Sequence, residues 1–452
     1  MNNFKVACIL SKIVRTPSEE SELIYFIKMI SADKTIEIDF FNYCKHWKLA
    51  PWAFTQLTRS GLLNLLSKET IKLFEECHLK IQIENESRNK EAVQFLTEFK
   101  KQGIDVIILK GNLFAHTVYM DTGYKRMNDF DILIHAEDWD KIQDVYVSLG
   151  YIPLGFGWSG EKQKAAKFSH VGMAFISPDF SCIIGSQWGL KSPTTNFKID
   201  IEEAWKSAKD FDFLGVSVKQ LSPEYNLLHL ILHMGIFKCG IRDCMDVYNL
   251  CLLGKIDVDK FFKLIESANA IDKTYFTLTL SNLCSGNLNR LLIKLKPNTS
   301  SFIIRRLGKR LATYTITHDF QTSYNDYFQD IEKTVIYFNL FPLFHKKLFF
   351  YLYILKLICF PKMGMALKLN DSLHNKSLLS KIKARLKAPY FVFSLIAQEI
   401  GWKFTFLLFV KLLIDLLLSL KNYFIKKESY FDYLKKRGVN PQSIEKAVKN
   451  IQ

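Results

Sequence analysis

The stretch VIILKGNLFAHTVYMDTGYKRMNDFDILI, residues 106–134, limits the fold more than any other part of the chain. One apolar run closes on Lys110-Gly111, and a second carries Asp129 and Asp131 two residues apart. Residues i and i+2 of a strand share a face, so the two carboxylates are expected about 4–6 Å apart. Their repulsion is roughly 3 kcal/mol at an effective dielectric near 20. A divalent cation between them turns that into attraction, and hard oxygen ligands suit Mg2+ (or Mn2+). One acid facing solvent at a strand end is the plainer reading of an isolated Asp-x-Asp, so the surroundings must decide.

Those surroundings are basic and glycine-bearing. Lys110-Gly111 ends a strand and opens a helix, where free backbone N–H groups and the helix dipole attract phosphate. Gly111 lets a phosphate come close to the backbone, with Lys110 and the next amides, from Asn112 onward, around it. Lys125 and Arg126 lie just before the acids and can meet phosphate charge. A phosphate-binding turn beside a metal-binding carboxylate pair suits metal-assisted nucleotidyl transfer.

Apolar spacings of three and four predict helices over 41–61 and 72–103, the second stopped by Gly103. DVIILKG reads as a strand, NLFAHTVYM as a helix, NDFDILIHA as a strand and EDWDKIQDVYVSLGY as a helix. MAFIS and SCIIGSQWGL are strand-like, and FKIDIEEAW alternates as a strand does. From LSPEYNLLHLILHMGIF onward the pattern is helical almost to the end. The fold class expected is α+β, with an α/β-like core.

Taken whole, the motif resembles the uncharacterised nucleotidyltransferase family of the DNA polymerase beta-like superfamily. The resemblance rests on Leu109-Lys110-Gly111, Tyr119, Gly123-Tyr124-Lys125 and Asp129-Phe130-Asp131-Ile132-Leu133-Ile134, and extends over roughly residues 40–255. Arg88-Asn89 precedes the motif; His233, Arg242 and Asp246 follow it at the family's recurrent polar positions. The resemblance implies a mixed sheet flanked by helices, with mostly helical terminal regions. With the spacing and charge of the flanks, the expected division is a helical region at 1–90, the nucleotidyltransferase-like core at 91–220, a helical region packing on it at 221–330, and a basic, apolar-rich helical region at 331–452.

The resemblance also implies roles. Asp129 and Asp131 would be catalytic and bind the metal; Lys110, Gly111, Asn112, Lys125 and Arg126 would bind the nucleotide. An NTP would donate its nucleoside monophosphate to a hydroxyl or phosphate of an acceptor, whether small molecule, glycan, lipid-linked or protein. Superfamily enzymes usually add a third carboxylate on a neighbouring strand, in an acid-x-His-Trp-x-Leu segment. The counterpart here is Gly185-Ser186-Gln187-Trp188-Gly189-Leu190, with glycine in place of the acid and glutamine in place of the histidine. Asp200 or Asp179 is the expected substitute under a different register, Glu202 lying on the same segment as Asp200. The alternative is a catalytically degenerate nucleotide-binding or scaffold protein.

Other features carry less. The nine cysteines are scattered, with no zinc-type spacing, so reduced thiols in the cytoplasm are expected. The N-terminus lacks the pattern of a signal peptide. His229 and His233 stand i, i+4 but bring no third ligand, and packing is their expected role. Asp243 and Asp246, after Arg242, read as a local ion-pair network. GFGWSG (155–160) reads as a loop, and Ser159 has no base partner.

Charge is uneven. From Ile331 to Gln452 there are 21 Lys/Arg against 7 Asp/Glu, a net +14, while the first 330 residues hold 40 against 38. LFFYLYILKLICF (348–360) is too short to span a bilayer. FTFLLFVKLLIDLLLSL (404–420) has Lys411 and Asp415 near its middle. Buried helices are the plain reading. An anionic membrane surface is the functional alternative, at the inner face of the membrane, with Lys346-Lys347, KIKARLK (381–387), the lysines at 426–427 and KKR (435–437) among Phe- and Tyr-rich segments. Nucleic acid is a lesser one.

Overall fold

The computed structural model describes residues 3–154, 170–234 apart from 194 and 196, 240–295, 331, 344–370, 377–424 apart from 401, and 435–444 apart from 437 and 441. The loop expected at 155–160, with Ser159, lies outside the described residues, as do the lysines at 426–427.

Five helices lead the chain: α1 (Asn3–Leu10), α2 (Pro17–Ser31), α3 (Lys34–His46), α4 (Ala50–Arg59) and α5 (Lys68–Lys101). Their starts follow from the sequence. Thr16 and Glu19 form a capping box, Asp33 accepts from the Thr35 amide, and Ser67 accepts from the Thr70 amide. The helix expected over 41–61 is broken, because Lys48 adopts φ 57° between α3 and α4. α5 runs unbroken through residue 90, and Gly103, φ 69°, follows its end. At its start, buried Glu37 of α3 accepts from the Ser67 amide (3.0 Å) and the Thr70 hydroxyl (2.8 Å).

The core is one seven-stranded mixed sheet in the order β3-β4-β5-β2-β1-β7-β6. Its strands are β1 (Ile107–Ile108), β2 (Phe130–Leu133), β3 (Ile152–Pro153), β4 (Phe175–Ile176), β5 (Ile183–Gln187), β6 (Lys209–Phe213) and β7 (Val216–Gln220). β2 runs antiparallel to β1 and parallel to β5. Between them lie α6 (Lys110–Thr117), α7 (Trp139–Ser148) and α8 (Ile201–Lys206). The back of the sheet is aromatic. Phe95 of α5 meets Phe130 of β2 edge-on (5.6 Å between centroids) and Tyr146 of α7 (5.7 Å).

One expectation fails locally, and one element has no counterpart in the sequence reading. FKIDIEEAW does not form a strand: Asp200 caps α8 by accepting from the Glu203 amide (2.9 Å), and Glu202 and Glu203 fill the first turn, where the dipole favours them. The β6–β7 hairpin was not foreseen, since its turn places Leu214 and Gly215 at φ 52° and 90°, and leucine is an uncommon residue there.

Helices follow: α9 (Pro223–His233), α10 (Ile241–Leu253), α11 (Val258–Ser267), α12 (Ile271–Ser285) and α13 (Asn289–Lys294). The described C-terminal helices are α14 (Phe344–Cys359), α15 (Met363–Leu369), α16 (Leu378–Ile400) and α17 (Trp402–Phe424). The fold is therefore α+β, one mixed sheet among many helices. Among the described residues, no helix is long and apolar enough to cross a membrane, and the eight described cysteines are all free.

Candidate functional site

Asp131 sits in the middle of the sheet on β2, 5% exposed. An ionised carboxylate there needs partners, and it has two. Lys110 Nζ donates to Oδ2 at 2.6 Å, and Gln187 Nε2 of β5 donates to Oδ1 at 3.0 Å. Lys110 stands where β1 turns into α6, with φ 54°, a left-handed conformation that costs a non-glycine residue about 1–2 kcal/mol. The strained backbone is where the ammonium reaches back to the neighbouring strand.

The parallel register sets Asp131 directly across from Gly185. A Cβ added at Gly185 would lie 2.5 Å from Asp131 Oδ1. The position at which the family resemblance calls for a third acid is thus beside Asp131, and the glycine there leaves room for the carboxylate. Neither alternative acid fills that role in its present pose. Asp179, in the turn between β4 and β5, accepts from Ser177 Oγ (2.6 Å) and from the Ser181 amide (3.0 Å). Asp200 is the cap of α8.

Asp129 has a different setting. It is exposed, one residue before β2, and its carbonyl accepts from Asn112 Nδ2 at 3.0 Å. Burial lowers the Arg88 pKa, and the charges of Glu84 and Asp129 oppose that shift. The carboxylate of Asp131 works instead against the lowering of His170, which burial and the Lys191 and Lys110 ammonium groups bring down to about 4. Burial first, then Lys110, His170 and Lys191, holds His229 well below the usual histidine range. His229 is buried on α9, so the histidine pair read as packing has one member close to the electric field of Lys110.

The basic residues before the acids are tied into the fold. The stem of Lys125 crosses Gly111, where an added Cβ would lie 3.2 Å from Lys125 Cε. Its ammonium pairs with Asp246 of α10, which also accepts from the Tyr119 hydroxyl. Asp246 is therefore no local partner of Arg242; that arginine approaches Asp243 at 3.9 Å. Tyr119 and Tyr124 stack at 3.9 Å, and Trp52 closes edge-on over Tyr119 at 4.7 Å. These aromatics, with Lys125, Arg242 and Asp246, line a small pocket with a cavity volume of about 10 Å³, room for little more than a water. Arg126 pairs with Glu84 at 3.3 Å.

Sequence reasoning missed the residues that hold this loop in place. Asn85, buried in α5, donates to the carbonyls of Thr122 (2.7 Å) and Lys125 (2.8 Å) and accepts from the Met127 amide (3.3 Å). Asp121 accepts from His78 (3.1 Å) and the Gly123 amide (2.8 Å), and also from Thr55. Burial raises the Asp121 pKa, but these hydrogen bonds outweigh it and leave the carboxyl below its ordinary value. Gly123 is required by contact: a Cβ there would lie 2.3 Å from His78 Nε2. An asparagine in a helix of polar residues carries no signal of this kind, whereas the Asp-Thr-Gly turn does.

Asp131 lies on β2 and Asp129 one residue before it, and Mg2+ commonly takes one or two carboxylates together with substrate phosphates. Among the described residues no group of three or more His, Cys, Asp or Glu is placed to hold an ion. Two carboxylates match what one Mg2+ takes, and among the described residues no further acid stands with them for a second ion.

A family model described as an uncharacterised nucleotidyltransferase matches residues 37–286, more than half of the chain. No curated protein and no solved structure matches.

Proposed function

The chain belongs to this family of uncharacterised nucleotidyltransferases, and on that premise we propose that it binds an NTP with one Mg2+ (or Mn2+) ion at Asp129 and Asp131. The observation that supports this reading is a buried carboxylate, Asp131, paired with Lys110 at the start of α6, the end of a helix that attracts phosphate. On triphosphate binding Lys110 would exchange the Asp131 carboxylate for phosphate oxygens, and Asp129 and Asp131 would hold the ion. The bound ion would supply charge neutralisation on the phosphates and polarise the reacting one.

The reaction is transfer of a nucleoside monophosphate. An acceptor oxygen attacks the α-phosphorus, the bond to the bridging oxygen breaks, pyrophosphate leaves, and any acceptor proton passes to solvent. This chain's residues would position the triphosphate and shield it from water. In the present pose Lys125 and Arg126 meet Asp246 and Glu84, so their contribution would be to hold the loop, with Lys125 released to phosphate only if Asp246 lets go. The setting proposed is the cytoplasm.

A second reading rests on Gly185. With glycine across from Asp131, β5 offers no acid to act as base or to hold a second ion at the attacking oxygen, and the protein would bind nucleotide as a scaffold. Calorimetric titration of Mg-ATP, Mg-GTP, Mg-CTP and Mg-UTP into wild type and Asp131→Asn tests binding, with loss in the variant expected. Equal binding by both would remove the acids from the account. Transfer of label from an α-labelled NTP to acceptor fractions then separates enzyme from scaffold.

A further inference from the structure

The described C-terminal helices present apolar side chains on two sides at once. Toward each other, α14, α16 and α17 bury Ile354, Ile358, Ala388, Val392, Leu412 and Leu416, and Phe393 stacks on Phe409 at 4.8 Å. Away from that core a second set stands in solvent. On α16 it is Leu378, Ile382, Leu386 and Tyr390, spaced by fours on one side of the helix. On α17 it is Trp402 and Phe406, then Leu413 and Leu417, with Phe349 and Leu352 on α14. Leu386 is 77% and Phe406 68% exposed. A surface helix of a water-soluble unit turns polar residues outward, so three helices with apolar outer stripes describe a face made to meet something.

Charge identifies the occupant. Residues 344–424 hold 13 Lys/Arg against 3 Asp/Glu. On α16 the exposed Lys383 and Lys387 flank the apolar stripe. A second copy would bring the same positive charge against itself. Nucleic acid matches the charge but offers no apolar phase for leucine and isoleucine. A bilayer surface with anionic headgroups satisfies both, since lysine stems extend to the headgroups while the apolar residues enter the acyl boundary. Lys403 and Lys411 within α17, with Asp415, suit a helix lying in the interface plane rather than crossing it.

We propose that α14, α16 and α17 form a peripheral docking face for an anionic bilayer, laying Leu386, Phe406 and their neighbours into the headgroup boundary. This face is independent of the nucleotide chemistry at Asp131.

The test is co-sedimentation of the full chain with vesicles of phosphatidylcholine alone and with about one third phosphatidylglycerol, at low and high salt. The expected result is roughly tenfold stronger binding to the anionic vesicles, weakened by salt. A Leu386→Glu/Phe406→Glu variant should lose about tenfold in that binding while keeping the wild-type melting temperature and Mg-ATP affinity; both positions are largely exposed, so folding is not at stake. Equal binding to both vesicle types, binding to neither, or an unaffected variant would overturn the proposal. So would recovery only in detergent after a carbonate wash, which means a spanning helix. A wild-type dimer that the variant turns into a monomer would assign the face to a second copy. Binding of duplex DNA that the same substitutions abolish, without vesicle binding, would assign it to nucleic acid.

Discussion

The pair between Lys110 and Asp131 can be measured without knowing any substrate. Its charges lie 2.6 Å apart with the side chains 17% and 8% exposed, so the gross attraction is about 6 kcal/mol at an effective dielectric of 20. Desolvation offsets much of it, but removing one partner leaves the other charge buried. The expected loss is near the lower end of the 3–5 kcal/mol range for such breaks, because Lys110 retains some water. Asp131→Asn should therefore destabilise by about 3 kcal/mol, even though the asparagine still accepts from Gln187. Lys110→Met should cost about 2–3 kcal/mol, and the double variant little more than the worse single one. Urea denaturation of the four proteins without nucleotide or divalent ion gives the coupling directly, expected at about 2 kcal/mol or more. Additivity within about 0.5 kcal/mol would mean that Lys110 does not hold Asp131, and the exchange of carboxylate for phosphate would lose its starting point.

Three further outcomes follow from the same geometry. Gly185→Asp sets a carboxylate against Asp131, where like charges about 4 Å apart repel by roughly 4 kcal/mol; the variant should melt lower in EDTA and recover in Mg2+ far more than wild type does. Equal responses to Mg2+ would contradict the placement of that position. Gly123→Ala should cost about 1–3 kcal/mol by overlap with His78 but little in a His78→Ala background, measured against His78→Ala alone; an equal cost in both backgrounds would rule out that contact. His170, with a folded pKa near 4 against about 6.5 unfolded, favours the native state when neutral. Its contribution is complete above about pH 6.5 and lost as pH falls toward 4, up to about 3 kcal/mol, and buried His229 adds in the same direction. His170→Gln should flatten the urea midpoint between pH 7 and 4.5, and an unchanged slope would refute the assignment.

How much of this was legible depends on how local each cause is. The Lys-Gly turn and the glycine across from Asp131 are written in short segments whose order fixes adjacency once two strands pair. Asp200 was readable too, since Asp-x-x-Glu is a capping pattern, but the alternation of FKIDIEEAW competed with it and the cap won. The pairing of Lys125 with Asp246 was not readable. It joins residues 121 apart in sequence, and nothing in either neighbourhood names the other. The same holds for Asn85, whose carboxamide reaches a loop some forty residues later. His170 and His229 drew no attention in sequence as neighbours of Lys110, because only the fold buries them near one cation.

Helix α5 is a rod of 34 residues, about 50 Å long, gripped at three stations. Glu37 clamps its first turn, Asn85 hangs the loop from its midpoint, and Phe95 props the strand of acids from beneath. A shortened protein beginning at residue 91 would keep every strand yet sever that rod between the last two stations. The leading helices are thus part of the frame on which the carboxylates are hung, and trimming them should unseat the site before it unfolds the sheet.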